Sequence, residues 1–153
     1  MKEASADENI ISVGNFVERL FALYPGSTKG KTLLSLPEIL RYGHFRGWLE
    51  DSDERHPQAP LNRQTAARII HMFLLIECGL QDLADITPAT TLKDLYTCRA
   101  CANHIAQVYC RGIMDAKKEE PDSRDSSAYF FNHLAPVSIT EATCILSKLE
   151  KLL

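Results

Sequence analysis

Apolar positions along the chain recur at helical spacing, with polar, proline- and glycine-marked breaks between them. Val13, Phe16, Val17, Leu20, Phe21 and Leu23 fall on one stripe ahead of Pro25-Gly26, which predicts a helix over about 12–24. Ser35-Leu36-Pro37-Glu38 reads as an N-cap with proline in the first turn, opening a helix that runs through Tyr42 or Phe45, with Gly43 and Gly47 blurring its end. The polar stretch from Asp51 to Pro60 is a connection. A third helix, capped by Asn62, runs from Arg63 to Cys78 and closes near Gly79; Ala66, Ile69, Ile70, Phe73 and Leu74 give it the widest stripe, so it should be the most buried. Asp85 to Thr91 is a loop, Leu95 to Cys110 a fourth helix ending at Gly112, Lys117 to Ser127 a charged surface excursion and Ile139 to Lys151 a last helix. Consecutive aromatics at Tyr129-Phe130-Phe131 allow a small β-bridge. The class is mainly α.

The pattern repeats in its wording as well. Pro60-Leu61-Asn62-Arg63-Gln64-Thr65-Ala66-Ala67 is matched by Pro136-Val137-Ser138-Ile139-Thr140-Glu141-Ala142-Thr143: a proline, an apolar residue, a capping residue and a small-residue helix opening. Upstream, Tyr42-Gly43-His44-Phe45-Arg46-Gly47-Trp48 pairs with Val108-Tyr109-Cys110-Arg111-Gly112-Ile113. Such a repeat implies stacked or pseudo-symmetric helices. A chain of 153 residues fits one compact domain, 1–153, with sub-units of about 12–34 (partial), 35–82 and 83–153.

Composition narrows the function classes. A net charge of −3 offers no basic surface for nucleic acid, so a helix-turn-helix DNA reader ranks last. The longest apolar run, Ile69 to Ile76, is broken by His71 and is far short of the roughly 20 residues that span a bilayer. The polar, acidic start at Met1 carries no secretory signal, and five cysteines, an odd number, read as reduced thiols. Both point to a cytoplasmic protein, or to the cell surface if a leader has been removed.

These words resemble those of the S-layer homology family. Leu83-Ala84-Asp85-Ile86 is similar to the opening of the family's unit, Arg111-Gly112-Ile113-Met114 to its helix end, Phe131-Asn132 with Ala135-Pro136-Val137 to its turn, and Ser138-Ile139-Thr140-Glu141-Ala142 to its second helix start. Arg46-Gly47-Trp48 and Asn62-Arg63-Gln64-Thr65-Ala66-Ala67 supply the same places in the preceding unit, and Ser12-Val13-Gly14-Asn15-Phe16 a trace of another. The resemblance implies a compact domain of pseudo-repeated helical units around a pseudo-threefold axis. It further implies a non-catalytic module that anchors to the cell envelope by binding acidic, often pyruvylated, wall polysaccharide in grooves between units, without a cofactor.

An acidic sugar needs an arginine fork and free amides at a helix N-terminus. Arg63 matches the family's arginine, and Asn62, Arg46 and Arg111 are further candidate ligand-binding residues. Val13 and Ile139 stand at the arginine's place in the other units, so at most one family-like groove survives. Trp48 sits where the other unit has Ile113, which predicts burial and not sugar stacking. Gly47 and Gly112 are expected to end helices in the left-handed conformation. The alternative is an intracellular helical domain for protein interaction or homodimerisation that keeps the fold without the sugar.

Other chemistry finds less support. Cys98, Cys101 and His104 share a helical face and could begin a zinc site, but Cys110 lies too far along and no second Cys-x-x-Cys exists; packed thiols explain them better. A redox Cys-x-x-Cys normally opens a helix after a strand, and none is predicted before Cys98. Gly30-Lys31-Thr32 lacks the leading glycine of a phosphate loop, where Pro25 stands. Lys117-Lys118-Glu119-Glu120 is a solvated charge run and not a calcium loop. No nucleophile–base order is evident among the histidines, and no enzyme activity is expected.

Overall fold

Three helices open in the same way, and their openings meet. The computed structural model of the chain describes residues 9–24, 34–118 and 129–153. Helices α1 (Val13–Leu23), α4 (Arg63–Met72) and α6 (Ile139–Leu152) are capped by Ser12, Asn62 and Ser138, whose side chains accept from the amides of Asn15, Thr65 and Glu141. The residue before each cap is extended and bonds to the next unit. Leu61 N–H donates to Ile11 O at 2.9 Å, Ile11 N–H to Val137 O at 3.0 Å and Val137 N–H to Leu61 O at 2.9 Å, which closes a ring. An outer ring repeats the arrangement, with Val13, Arg63 and Ile139 N–H donating to Ala59 O, Ala135 O and Asn9 O. First-turn amides have no partner within their own helix. Here the following unit supplies it, in cyclic order, so the pseudo-threefold contact and the helix starts are one device.

The other elements fill the spaces between these three. Helix α2 (Leu36–Arg46) starts at a full capping box between Ser35 and Glu38 and ends at Gly47, whose φ of 103° is left-handed. A short helix α3 (Asp51–Arg55) occupies part of the stretch expected to be a plain connection. Its sequence has no apolar period; Glu50 and Asp53 cap it reciprocally, and buried Asp53 forks onto Arg68 at 2.8 and 3.0 Å. Helix α4 passes into a π-turn over Phe73–Glu77, and Gly79 follows with positive φ. The predicted 85–91 loop is in part a 3₁₀ turn (Thr87–Thr91), and the predicted fourth helix is a 3₁₀ turn (Leu95–Thr97) leading into α5 (Arg99–Cys110). The expected β-bridge is present: β1 (Lys117–Lys118) pairs antiparallel with β2 (Tyr129–Phe130).

The core runs through all the units, and the fold is mainly α. Trp48 is fully buried as expected, edge-on to Phe73 at 4.8 Å and stacked near Phe21. Its indole N–H donates to Glu77, which also accepts from Tyr42 and Arg46. A buried carboxylate is tolerable because three donors answer it. No helix of the described residues is long and apolar enough to cross a membrane. The Gly-Lys-Thr run, most of the 117–127 excursion and the acidic N-terminal residues lie outside the described residues.

Candidate functional site

The second and third units meet in a cleft of about 340 Å³ with Arg63 at its floor; Asp115, Lys117, Thr140, Glu141 and Lys148 line its walls. The predicted arginine is therefore in the predicted place, at the first position of its helix. Its guanidinium, however, is not the exposed fork that the sequence led us to expect. Arg63 is only 1 % exposed: Nε donates to Phe131 O at 2.7 Å, one terminal nitrogen to the Glu141 carboxylate and the other to Asp115 O. The Phe131 ring packs against the guanidinium carbon at 4.5 Å. Burial lowers the guanidinium pKa to about 10, opposed by the charges of Asp115 and Asp94, so it stays charged at neutral pH.

The helix start below it is equally committed. Arg63 N–H is bonded to Ala135 O, Gln64 N–H to His133 O at 2.8 Å and Thr65 N–H to the Asn62 side chain, which leaves no free first-turn amide on α4 for an anion. Asn62 thus spends its side-chain oxygen on the helix cap. The neighbouring start differs: Thr140, second residue of α6, lies on the cleft and its amide has no acceptor among the described residues. Lys148 reaches the same cleft, 3.5 Å from Asp115 and half exposed.

The two remaining candidate arginines lie elsewhere. Arg46 bonds Glu77 at 3.0 Å and Ile76 O at 3.2 Å, and the hydrogen bond and charge of Glu77 raise its pKa. Arg111 donates to Gln81 O, pinning the chain that leaves α4. Neither lines the Arg63 cleft. Family-model searches and searches of curated proteins and solved structures return no match to this chain.

The cysteines also depart from expectation. Cys98 and Cys101 are joined in a disulfide across a Cα separation of 5.2 Å, leaving Cys78, Cys110 and Cys144 as thiols. An odd total excludes complete pairing but says nothing about one pair brought together by a helix turn. No group of three or more His, Cys, Asp or Glu is placed to hold a metal ion among the described residues, and His104, the third residue of the weighed zinc set, bonds His71 instead. Cys78 is a packed thiol, its pKa pushed up to about 11 by burial and by the charge of Glu77.

The residues that sequence reasoning missed are Asp115, Lys117, Glu141 and Lys148. Glu141 had a signal. It stands three residues after Ser138, the spacing of a capping box, but its carboxylate turns to Arg63 instead of back to the cap. Asp115 and Lys148 follow only from the fold.

Proposed function

We propose that this chain is an S-layer-homology-like binding module, and that the cleft over Arg63 takes an acidic wall saccharide. The observation that carries this is the closed backbone ring of Ile11, Leu61 and Val137, which repeats the three-unit plan the motifs imply, with a charged cleft at the junction that kept its arginine. In such a cleft Arg63 sets a fixed positive floor, while Lys148, Lys117 and the Thr140 amide are the groups able to meet a ligand carboxylate. Arg63 acts at one remove: it holds Glu141 and the Asp115 backbone, and so shapes the walls.

The test is calorimetric titration with a pyruvylated wall disaccharide, comparing the unaltered protein with Lys148→Ala. Lys148 is partly exposed, so its loss leaves the core intact. Saturable binding weakened about tenfold in the variant, the value of one charge-assisted contact, supports the assignment. No heat at millimolar ligand refutes it.

One observation favours the other reading, a protein-interaction domain that has lost the sugar. All the Arg63 bonds are internal, while Phe45, 87 % exposed, and Leu134, 74 % exposed, stand out from the surface. Concentration-dependent dimerisation by sedimentation, abolished by Phe45→Ser, would favour it.

A further inference from the structure

A second groove, of about 290 Å³, lies between α4 and α5 and is lined by Glu50, Arg68, Cys101 and His104 among others. Cys98 stands just before α5, and Cys101 and His104 follow at the third and sixth positions of that helix, three residues apart and on one face. Behind His104 runs a chain of imidazoles. His104 Nδ1 lies 2.8 Å from His71 Nδ1, and His71 Nε2 lies 2.7 Å from Asp82 Oδ1; Asn103 donates to the other Asp82 oxygen. Of two facing Nδ1 atoms one must carry the proton. With His71 Nε2–H donating to Asp82, His71 Nδ1 is the acceptor and His104 Nδ1–H the donor. His104 Nε2 then keeps its lone pair, and no described residue bonds it.

This arrangement moves a proton without leaving a charge at the groove. A proton arriving at His104 Nε2 releases the Nδ1 proton to His71 Nδ1, whose Nε2–H faces the Asp82 carboxylate. Burial, then the charges of His71 and Arg68, depress the His104 pKa to about 4, with Asp82 opposing, so the charge does not stay on His104. Burial tends to raise the Asp82 pKa, but the hydrogen bonds from His71 and Asn103 outweigh it and hold it below the ordinary value.

We infer that Cys98–Cys101 is a thiol–disulfide exchange site, with Cys98 the sulfur attacked by an external thiol and Cys101 the resolving cysteine served by the His104–His71–Asp82 relay. The external thiolate forms a bond to Cys98 Sγ as the Cys98–Cys101 bond breaks. The electron pair leaves on Cys101 Sγ, which takes, by way of His104 Nε2, the proton that the external thiol lost in forming its thiolate. A second thiol attacks the sulfur of the first, releasing the external disulfide and the Cys98 thiolate. Two thiols are thereby oxidised to one disulfide, and the protein disulfide is reduced to two thiols. In reverse, Cys98 attacks an external disulfide, and Cys101 gives its proton to His104 Nε2 as its thiolate displaces the bound sulfur. Exposed Tyr96, two residues before Cys98, offers a face on which a peptide thiol could rest.

The test uses the full chain with glutathione, and in a parallel arm a short cysteine peptide, followed by alkylation and mass mapping. The pair is expected to oxidise and reduce reversibly across glutathione buffers, and Cys101→Ser to trap the mixed disulfide on Cys98. His104→Gln should slow resolution of that adduct by at least about tenfold at pH 7, the scale of lost acid–base assistance. The first attack, measured in Cys101→Ser with and without His104→Gln, should be unchanged, which a merely structural histidine would not produce. Asp82→Asn, at the half-exposed end of the relay, gives a milder variant expected to slow resolution several-fold. Faster turnover in one arm identifies the thiol source. A pair that stays oxidised in excess thiol, an adduct that forms only at other cysteines, or resolution within twofold of normal in both relay variants overturns the proposal.

Discussion

Replacing Arg63 by alanine separates an arginine built into the fold from one held out for a ligand. The side chain is buried and satisfies two main-chain carbonyls, of Phe131 and Asp115, together with the Glu141 carboxylate, whose side chain is 21 % exposed. Each carbonyl left without a donor costs about 1–2 kcal/mol, and a carboxylate stripped of its partner costs more, moderated by its access to water. The sum, about 3–5 kcal/mol, is the usual cost of breaking a buried ion pair from one side. A domain of this size is stable by roughly 5–15 kcal/mol, so the variant should fold but sit much closer to its limit. Urea unfolding followed by the fluorescence of Trp48, the only tryptophan, reads this directly. With an m-value near 2 kcal/mol/M the midpoint should fall by about 2 M. Glu141→Ala should also destabilise, by leaving the guanidinium unanswered. The double variant should then recover at least about 1.5 kcal/mol relative to the sum of the two, because neither charge is left alone. A loss below about 1 kcal/mol with no coupling would refute the internal role and return Arg63 to the ligand.

Asn62→Ala removes the cap of α4 and should cost about 1 kcal/mol in the same unfolding assay. Glu77→Ala strands the donors of Tyr42, Arg46 and Trp48, and should cost about 2–3 kcal/mol and change the native Trp48 emission, since the indole N–H loses its acceptor. His104 is neutral in the fold to about pH 4, whereas in the unfolded chain it charges below about 6.5. The unfolded state therefore binds the extra proton, and stability present above pH 6.5 is lost as the pH falls towards 4. After discounting for solvent, about 1–2 kcal/mol should go, and His104→Gln should flatten that slope in pH-dependent melting of the oxidised protein.

What the sequence carried well was local. Ser12, Ser35, Asn62 and Ser138 each stand at the start of a helix because the hydroxyl or amide oxygen meets an amide only three residues on, a contact that needs no knowledge of the fold. Gly47 and Gly112 end helices with positive φ for an equally local reason. The burial of Trp48 followed from its place in the repeat. The fate of Arg63 did not, because its three acceptors lie 52, 68 and 78 residues away in the chain. Helix α3 was hidden for a related reason: its polar residues show no stripe, and Arg68, which secures Asp53, is 15 residues on. The His71–His104 pair joins two helices across 33 residues, and neither histidine has a neighbour in sequence that points to the other.

The three equivalent positions Val13, Arg63 and Ile139 show how structure and binding can separate in a repeated fold. What the ring requires of each is its backbone amide, which donates to the following unit, and any residue other than proline supplies that. Substitution of the side chain at this position therefore leaves the three-unit plan standing, as Val13 and Ile139 illustrate. At the remaining position Arg63 has a complete set of acceptors around it, so its removal disturbs more than its own contact. The backbone thus keeps the symmetry, while the side chain at this position sets an arginine in one junction alone. The saccharide proposed for the Arg63 cleft should accordingly bind once per chain, and a measured stoichiometry of two or three would refute a single arginine-dependent site.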